Sequence, residues 1–249
     1  MKYVALWILI LFPLLTYAKS EQDPWEPVNR KIFGFNEAVD KALLKPIAKS
    51  YQWITPEPVD KGVSNFFSNL SEVKNIPNSL LQLKFKHAGT STLRLTINST
   101  IGIGGLFDVA TRMGLEKHRE DFGQTLGHWG VKSGPYVMIP ILGPSNVRDF
   151  ASMPVDFYVD SQLSPLNLFE LSPLQRNTLT AIKYIDVRAD LLAVESMLTG
   201  DRYVAMRELT IQLREFDVRD GNVEDAFIGG NTGESSEGFV DEEELDLDF

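Results

Sequence analysis

The 249-residue sequence has no cysteine, only three histidines, and no uninterrupted apolar run of eighteen residues beyond its N-terminal stretch. Each absence removes a class of explanation. Without cysteine there is no disulfide framework, no thiolate zinc site, and no N-terminal thiol on which a lipid anchor could be built. His87, His118 and His128 share no helix-turn spacing, so a metal centre is not expected and each reads first as a packing or surface residue. Without a long apolar run, no conventional transmembrane helix is expected after the N-terminus. An excess of cations is also missing. The chain has 34 acids against 24 bases, and ten of the acids lie between Glu224 and Asp248 with no Lys or Arg among them. Residues 1–220 therefore balance at 24 against 24. A neutral body with an acidic tail has no basic stripe to displace counterions from phosphates, which excludes nucleic acid as a partner.

What is present starts with an export signal. Lys2 is followed by an apolar stretch from Tyr3 to Leu15 and then Thr16-Tyr17-Ala18, which places small residues where a signal peptidase reads them. Cleavage after Ala18 is expected. The stretch is shorter than the ~20 residues that span hydrocarbon, and Pro13 interrupts it. At 43% hydrophobic and 10% aromatic, the remainder has enough apolar material for a folded core.

The pattern is mainly helical. Residues 19–27 read as a polar, proline-punctuated linker. From Val28 to Tyr51, the residues Ile32, Phe35, Val39, Leu43, Ile47 and Tyr51 recur every three to four positions, predicting an amphipathic helix interrupted at Pro46. After Thr55-Pro56-Glu57-Pro58, Phe66, Phe67 and Leu70 suit a helix. Leu81, Leu83 and Phe85 alternate with polar residues and fit a strand equally well; helical neighbours favour helix. Leu93, Ile97 and Ile101 lead into a glycine-rich apolar segment. Residues 121–150, dense in glycine and proline, are expected to be irregular. Leu179, Ile182, Ile185, Ala189 and Leu192 form one helical stripe, with Tyr184, Leu191, Val194 and Leu198 forming a second. Gly200 then ends that helix, and Asp201 caps another carrying Met206, Leu209, Leu213 and Phe216. Beyond Asp220 the composition is that of an acidic disordered tail. No repeat of 20–50 residues occurs.

Catalytic constellations are weak. Gly102-Ile103-Gly104-Gly105 lacks the spacing and preceding strand of a dinucleotide loop. Ser133 sits in Val-Lys-Ser-Gly-Pro, not in the nucleophile elbow of an esterase. Glu120 and Asp121 are adjacent and so diverge, whereas glycoside hydrolysis needs carboxylates facing across a sugar. No cofactor is expected and the chain does not read as an enzyme; an exported serine esterase or lipase is the catalytic alternative. Amphipathic segments in an exported chain without disulfides are explained equally well by lipid contact and by an ordinary helical core.

Five blocks tip that balance. Asp23-Pro24-Trp25-Glu26-Pro27-Val28-Asn29-Arg30 with Phe33-Gly34-Phe35-Asn36, Gly62 to Leu70, Asn98 to Asp108, Phe122 to Gly130 with Gly134-Pro135-Tyr136, and Tyr184 to Leu198 continuing into Tyr203 and Arg207-Glu208 together resemble the MlaA (VacJ) family of outer-membrane phospholipid-transport proteins. They run in order across residues 23–216. The resemblance implies a single, mainly α, ring-like domain over residues 28–220, lying in the inner leaflet of the outer membrane on its periplasmic side, with a polar channel at its centre. It implies phospholipids as cargo, a trimeric outer-membrane porin and a soluble periplasmic lipid carrier as partners, and maintenance of lipid asymmetry by removal of mislocalised phospholipid from the outer leaflet. Many members carry a lipidated cysteine. Here Lys19 stands in that place, so amphipathic insertion or capture by a porin must hold the protein.

Channel or gating candidates follow from the matched blocks: Phe35 and Asn36 near the first helix, Gly102, Gly104 and Gly105, and Gly127, His128, Trp129, Gly130, Gly134, Pro135 and Tyr136. A structural protein that only decorates a porin is the remaining alternative.

Overall fold

The computed structural model describes residues 22–195 and 200–222. The expected signal peptide, most of the acidic tail and Leu198 of the second stripe lie outside these residues.

Pro27 opens α1 (Glu26–Val39), where its missing N–H costs nothing. The predicted interruption near Pro46 takes the form of a π-helical turn, Asp40–Leu44, ahead of α2 (Lys45–Ile54). Proline cannot donate to the carbonyl four residues back, and the Lys45 N–H reaches instead to Asp40 O, five residues back, which widens the turn. The linker is packed from Gln22 onward: Gln22 O accepts from Tyr136 N–H, and Asp23 is buried.

The ambiguous segment is helical. Helix α3 (Glu57–Leu81) and α4 (Phe85–Thr100) form the most extensively packed helix pair of the fold, joined at Gln82–Lys84. Leu83 turns the chain there with φ 60°. Leu81, Leu83 and Phe85 alternate because three outward-facing apolar groups surround this joint, not because they share a strand face. A glycine-rich turn then leads to the single-turn α5 (Val109–Arg112), capped by Asp108 accepting from Thr111 N–H.

Residues 121–150 are more regular than expected. They hold α6 (Phe122–His128), an antiparallel hairpin of β1 (Tyr136–Ile139) and β2 (Gly143–Asn146) with Tyr136 opposite Asn146, and the start of α7 (Val147–Leu163). Asp121 and Asn146 supply the caps, accepting from the backbone N–H of Gln124 and Asp149. Glycine and proline mark the joints between short elements, and Pro144 is tolerated because a two-stranded sheet has only edges. A 3-10 turn (Pro165–Leu168) precedes α8 (Pro173–Glu195). Gly200 (φ 78°) and Asp201, which accepts from Tyr203 and Val204 N–H, start α9 (Arg202–Val218) as the sequence predicts.

The conventional apolar core is small: Tyr136, Met138 and Tyr203, with Ile32, Phe33, Val204 and Ile211 against them. Elsewhere the interior is polar. The buried face of α3 presents Phe67, Asn69, Glu72, Asn75, Asn78 and Ser79; that of α4 presents Ala88, Ser91, Arg94 and Asn98. The apolar residues lie outside. Phe35, Leu43 and Ile47 of the first stripe are exposed, as are Phe85, Leu93, Ile101, Phe107, Phe150 and Phe157. In water this arrangement would be unfavourable, since apolar surface is driven inward.

Candidate functional site

A polar cavity of about 400 Å³ lies among α3, α8, α9 and the segment before α6. Helical spacing builds its walls. Ser64, Phe67, Ser68, Ser71, Lys74 and Asn75 follow one stripe of α3, and Lys183, Asp186, Val187 and Asp190 follow one of α8. Lys117, Arg119, Glu120, Asp121 and Gln124 contribute from the segment leading into α6, and Arg214 and Asp217 from α9.

Part of this wall is held fixed. Arg214 grips Asp121 through two parallel hydrogen bonds of 2.6 and 2.7 Å and reaches Asp149 at 2.5 Å. This two-pronged geometry suits guanidinium and carboxylate planes. Glu120 accepts from Gln82 (2.7 Å) and Lys84 (3.2 Å), and Asp186 from Ser64 (3.0 Å) and Tyr51 (3.2 Å). Behind the wall, Arg94 is almost wholly inaccessible and donates to Glu72 (2.8 Å), Asp108 (3.0 Å), Thr111 (2.9 Å) and Leu115 O (2.6 Å). Thus α3, α4 and the turn after α4 are locked by paired charge.

Other wall groups are uncommitted. Among the described residues, the side chains of Lys74, Lys117, Arg119, Lys183, Asp190 and Asp217 enter no ion pair or side-chain hydrogen bond. Burial, reinforced by Arg119, pushes the Lys117 ammonium below its ordinary value. Burial pushes the carboxyls of Asp186, Asp190 and Asp217 upward, with Asp60 adding to the rise at Asp186 and Asp190. The cavity therefore offers polar groups of both signs to a solute.

None of the twelve residues matched from the family blocks lines this cavity. Asn36 secures the hairpin, donating to Ile139 O (2.9 Å) and accepting from Ile141 N–H (2.8 Å), and borders an apolar cavity of about 320 Å³. Phe35 points outward. Gly102, Gly104 and Gly105 form the turn after α4. A Cβ on Gly102 would sit 2.2 Å from Phe107 O, and one on Gly105 would sit 2.6 Å from the Asn69 side chain, so both mark close approach within the turn. Gly127, His128, Gly130, Gly134 and Tyr136 border a third cavity of about 600 Å³, together with Ser133. Trp129 is exposed, donates its Nε1–H to Leu81 O (3.0 Å) and meets His128 edge-on. Pro135 O receives the Val147 N–H at the end of the hairpin. Ser133 and His128 share that third cavity, but no hydrogen bond joins their side chains among the described residues.

The polar wall escaped sequence reasoning because attention to apolar periodicity passes over a stripe of Ser, Lys and Asn. The same three-to-four spacing at Ser64, Ser68, Ser71 and Lys74 is the signal that could have found it. One cluster, His87, Glu120 and Asp220, brings ligand atoms within 4.8 Å of one another, but the Lys84 ammonium bonds both carboxylates and takes the place a metal ion would need.

Comparison with known proteins agrees with the architecture. The family model described as MlaA lipoprotein matches residues 21–217. An uncharacterised protein of Rickettsia typhi is 37% identical over 79% of this chain and 78% of its own. The intermembrane phospholipid transport system lipoprotein MlaA of Escherichia coli strain K12 is 31% identical over 84% of this chain and 83% of its own. A solved structure concerned with the structural basis for maintenance of bacterial outer membrane lipid asymmetry superposes with a TM-score of 0.67 at 33% identity, covering 79% of this chain and 98% of that one. The mainly helical fold is shared, and the 249 residues contain no cysteine. On this similarity of sequence and fold, the chain belongs to the MlaA lipoprotein family.

Proposed function

We propose that this protein is a non-enzymatic, outer-membrane component of intermembrane phospholipid transport, which takes mislocalised phospholipid from the outer leaflet and passes it to a soluble periplasmic carrier. The observation that carries the reading is the inverted distribution of polarity: apolar side chains outside, charged and amide side chains lining an interior cavity. Exposed Phe, Leu, Ile and Trp suit contact with lipid tails, and helices close their own backbone hydrogen bonds, which hydrocarbon cannot satisfy. No described helix is long and apolar enough to cross a membrane, which suits lateral insertion into one leaflet on the periplasmic side. A polar cavity lets a charged headgroup move without the full cost of entering hydrocarbon. A porin trimer as scaffold fits a chain with no cysteine for lipidation.

The chemistry asked of the cavity is passage, not bond-making. Uncommitted Lys and Asp side chains offer weak, exchangeable contacts, while Arg214–Asp121 and Arg94–Glu72 keep the walls in place. In this scheme Phe35, Asn36 and the glycine-rich turns lie outside the polar cavity, and Asn36 acts by holding the β1–β2 turn against α1.

Deletion of the gene in its native host tests the reading. Phospholipid should accumulate in the outer leaflet, with restoration by the native chain and not by Ser68→Trp, which fills the cavity wall. Unaltered asymmetry in the deletion strain overturns transport and leaves porin decoration; ester turnover lost on replacing Ser133 would favour the esterase reading.

A further inference from the structure

The uncommitted charges of the polar cavity are ordered along its length. On α8, Lys183, Asp186 and Asp190 all face the cavity. At the α-helical rise, Lys183 lies about 4.5 Å along the axis from Asp186 and about 10 Å from Asp190. On α3, Ser64 touches Asp186 at 3.0 Å, and Asp60 lies close enough to Asp186 and Asp190 to disfavour their ionisation. Ten residues further on, Lys74 lines the same cavity with Lys117 and Arg119, and the last two repel each other. One end of the cavity is therefore acidic; the other is mixed but cation-rich, because Glu120 and Asp121 are bonded by Lys84 and Arg214, leaving Asp217 there against Lys74, Lys117 and Arg119, with Lys183 towards that side. Among the described residues, Lys117, Arg119, Lys183 and Asp190 make no ion pair or side-chain hydrogen bond, although Glu72 and Asp108 act on Lys117 and Asp217 on Arg119 over longer range. Their charge remains available to a ligand.

A ligand complementary to this arrangement carries a negative and a positive group separated by a few bonds. In a phospholipid headgroup with a terminal amine, phosphorus and nitrogen are four bonds apart, a span comparable to the Lys183–Asp186 offset. A net-anionic headgroup has nothing to offer the acidic end. We propose that the cavity selects zwitterionic aminophospholipid headgroups over net-anionic ones, taking the phosphodiester at Lys183, Lys117 and Arg119 and the ammonium at Asp186 and Asp190. The proposal rests on the reading of the cavity as a phospholipid passage and adds its substrate preference. Complementary charge placed this way gives discrimination more than raw affinity.

The experiment uses the full chain, loaded from vesicles of equimolar phosphatidylethanolamine and phosphatidylglycerol, re-isolated and extracted for lipid quantification. The ethanolamine lipid is expected in roughly two- to fivefold excess, the scale of an exposed charge contact. Asp190→Asn, alone or with Asp186→Asn, should return the ratio to about one by lowering recovery of the ethanolamine lipid, and Lys183→Gln should lower recovery of both lipids. A wild-type ratio near one, or an excess that survives the double aspartate substitution, overturns the headgroup assignment. Recovery of no lipid from wild type overturns the transport reading itself, a separate outcome. Soluble glycerophosphoethanolamine in equal amount should leave the bound lipid in place; full displacement would make the soluble phosphodiester the ligand and overturn the lipid assignment.

Discussion

The α3–α4 hairpin and the region where α1, the β-hairpin and α9 meet are held together by opposite means. In the second region, Tyr136, Met138 and Tyr203 pack with Ile32 and Phe33, and the Tyr203 ring receives Phe33 and Tyr136 edge-on and the Arg30 guanidinium at 4.4 Å. Burial of apolar area stabilises it, as in a water-soluble domain. The α3–α4 hairpin buries Glu72, Asn75, Asn78, Ser91, Arg94 and Asn98 instead. Its cohesion comes from hydrogen bonds of definite direction: Asn75 donates to Glu72 (2.9 Å) and His118 O (2.7 Å) and receives the Glu120 N–H (3.0 Å), while Asn98 joins Asp108 (3.0 Å) to Ala110 N–H (2.9 Å). Removing one partner from a buried polar pair leaves the other uncompensated, so one region should tolerate the loss of a partner poorly and the other should respond to lost volume.

The sharpest break in this comparison is Arg94→Ala, which strands Glu72 and Asp108. A loss of about 3–5 kcal/mol is expected in denaturant unfolding of the detergent-solubilised chain. Arg94→Met combined with Glu72→Met should recover the Glu72 share of it, because replacing both removes that uncompensated charge, while Asp108 keeps its hydrogen bonds from Asn98 and Thr111. Failure of the pair to recover would show that Arg94 acts through other bonds.

In the apolar region the two tyrosines differ. The Tyr203 hydroxyl donates to buried Asp23, whereas the Tyr136 hydroxyl is buried without a partner among the described residues. Tyr203→Phe should cost about 1.5–3 kcal/mol, and Tyr136→Phe should be neutral within about 0.5 kcal/mol or stabilising. Equal effects in the same unfolding assay would mean that the Tyr203–Asp23 hydrogen bond adds nothing beyond packing.

A third test concerns the ion-pair seam where α1 and its π-turn meet α8 and α9. Burial would raise the Glu195 carboxyl, but hydrogen bonds from Lys45 and Arg188 outweigh it and lower the value from 4.5 to about 2. A depressed folded-state value means the contribution is full above about pH 4.5 and is lost as the pH falls towards 2. Glu195→Gln should flatten stability against pH within that window and leave the slope above pH 6 unchanged. An unchanged acid limb would show that Glu195 is not its source.

The smallest effect on stability belongs to the exterior. Trp53 is 87% exposed, so Trp53→Glu should shift unfolding by no more than about 0.5 kcal/mol. The same substitution should reduce retention by phospholipid vesicles in a flotation assay. Unreduced retention would remove Trp53 from the lipid-facing surface.

Much of the helical framework was readable because period and caps are local. The α8 stripe and the Asp201 cap reported a helix and a helix start that need no long-range partner to form. Residues 121–150 were not readable in the same way. Asn36 and Gln22, more than a hundred residues away, bond the hairpin, and Arg214 bonds the cap residue of α6. Glycine and proline density reported how often the chain turns there, not what forms between the turns. Among candidate residues, family blocks led to Asn36 and the glycine turns, while the polar cavity came from Ser, Lys and Asp positions that look like an ordinary solvated face.

The sequence alone determined that the fold is mainly helical, several of its helices with the cap at Asp201, and, through the five matched blocks, the family. Those properties depend on neighbours within one or two turns or on residues shared with relatives. Only the tertiary structure decided which face of each helix points inward. Amphipathic periodicity has no sign: the same spacing serves an apolar core or an apolar exterior. Here pairing of Arg94 with Glu72 and of Arg214 with Asp121, across distances that no local pattern encodes, turns the polar faces inward and leaves Phe35, Leu93 and Ile101 outside.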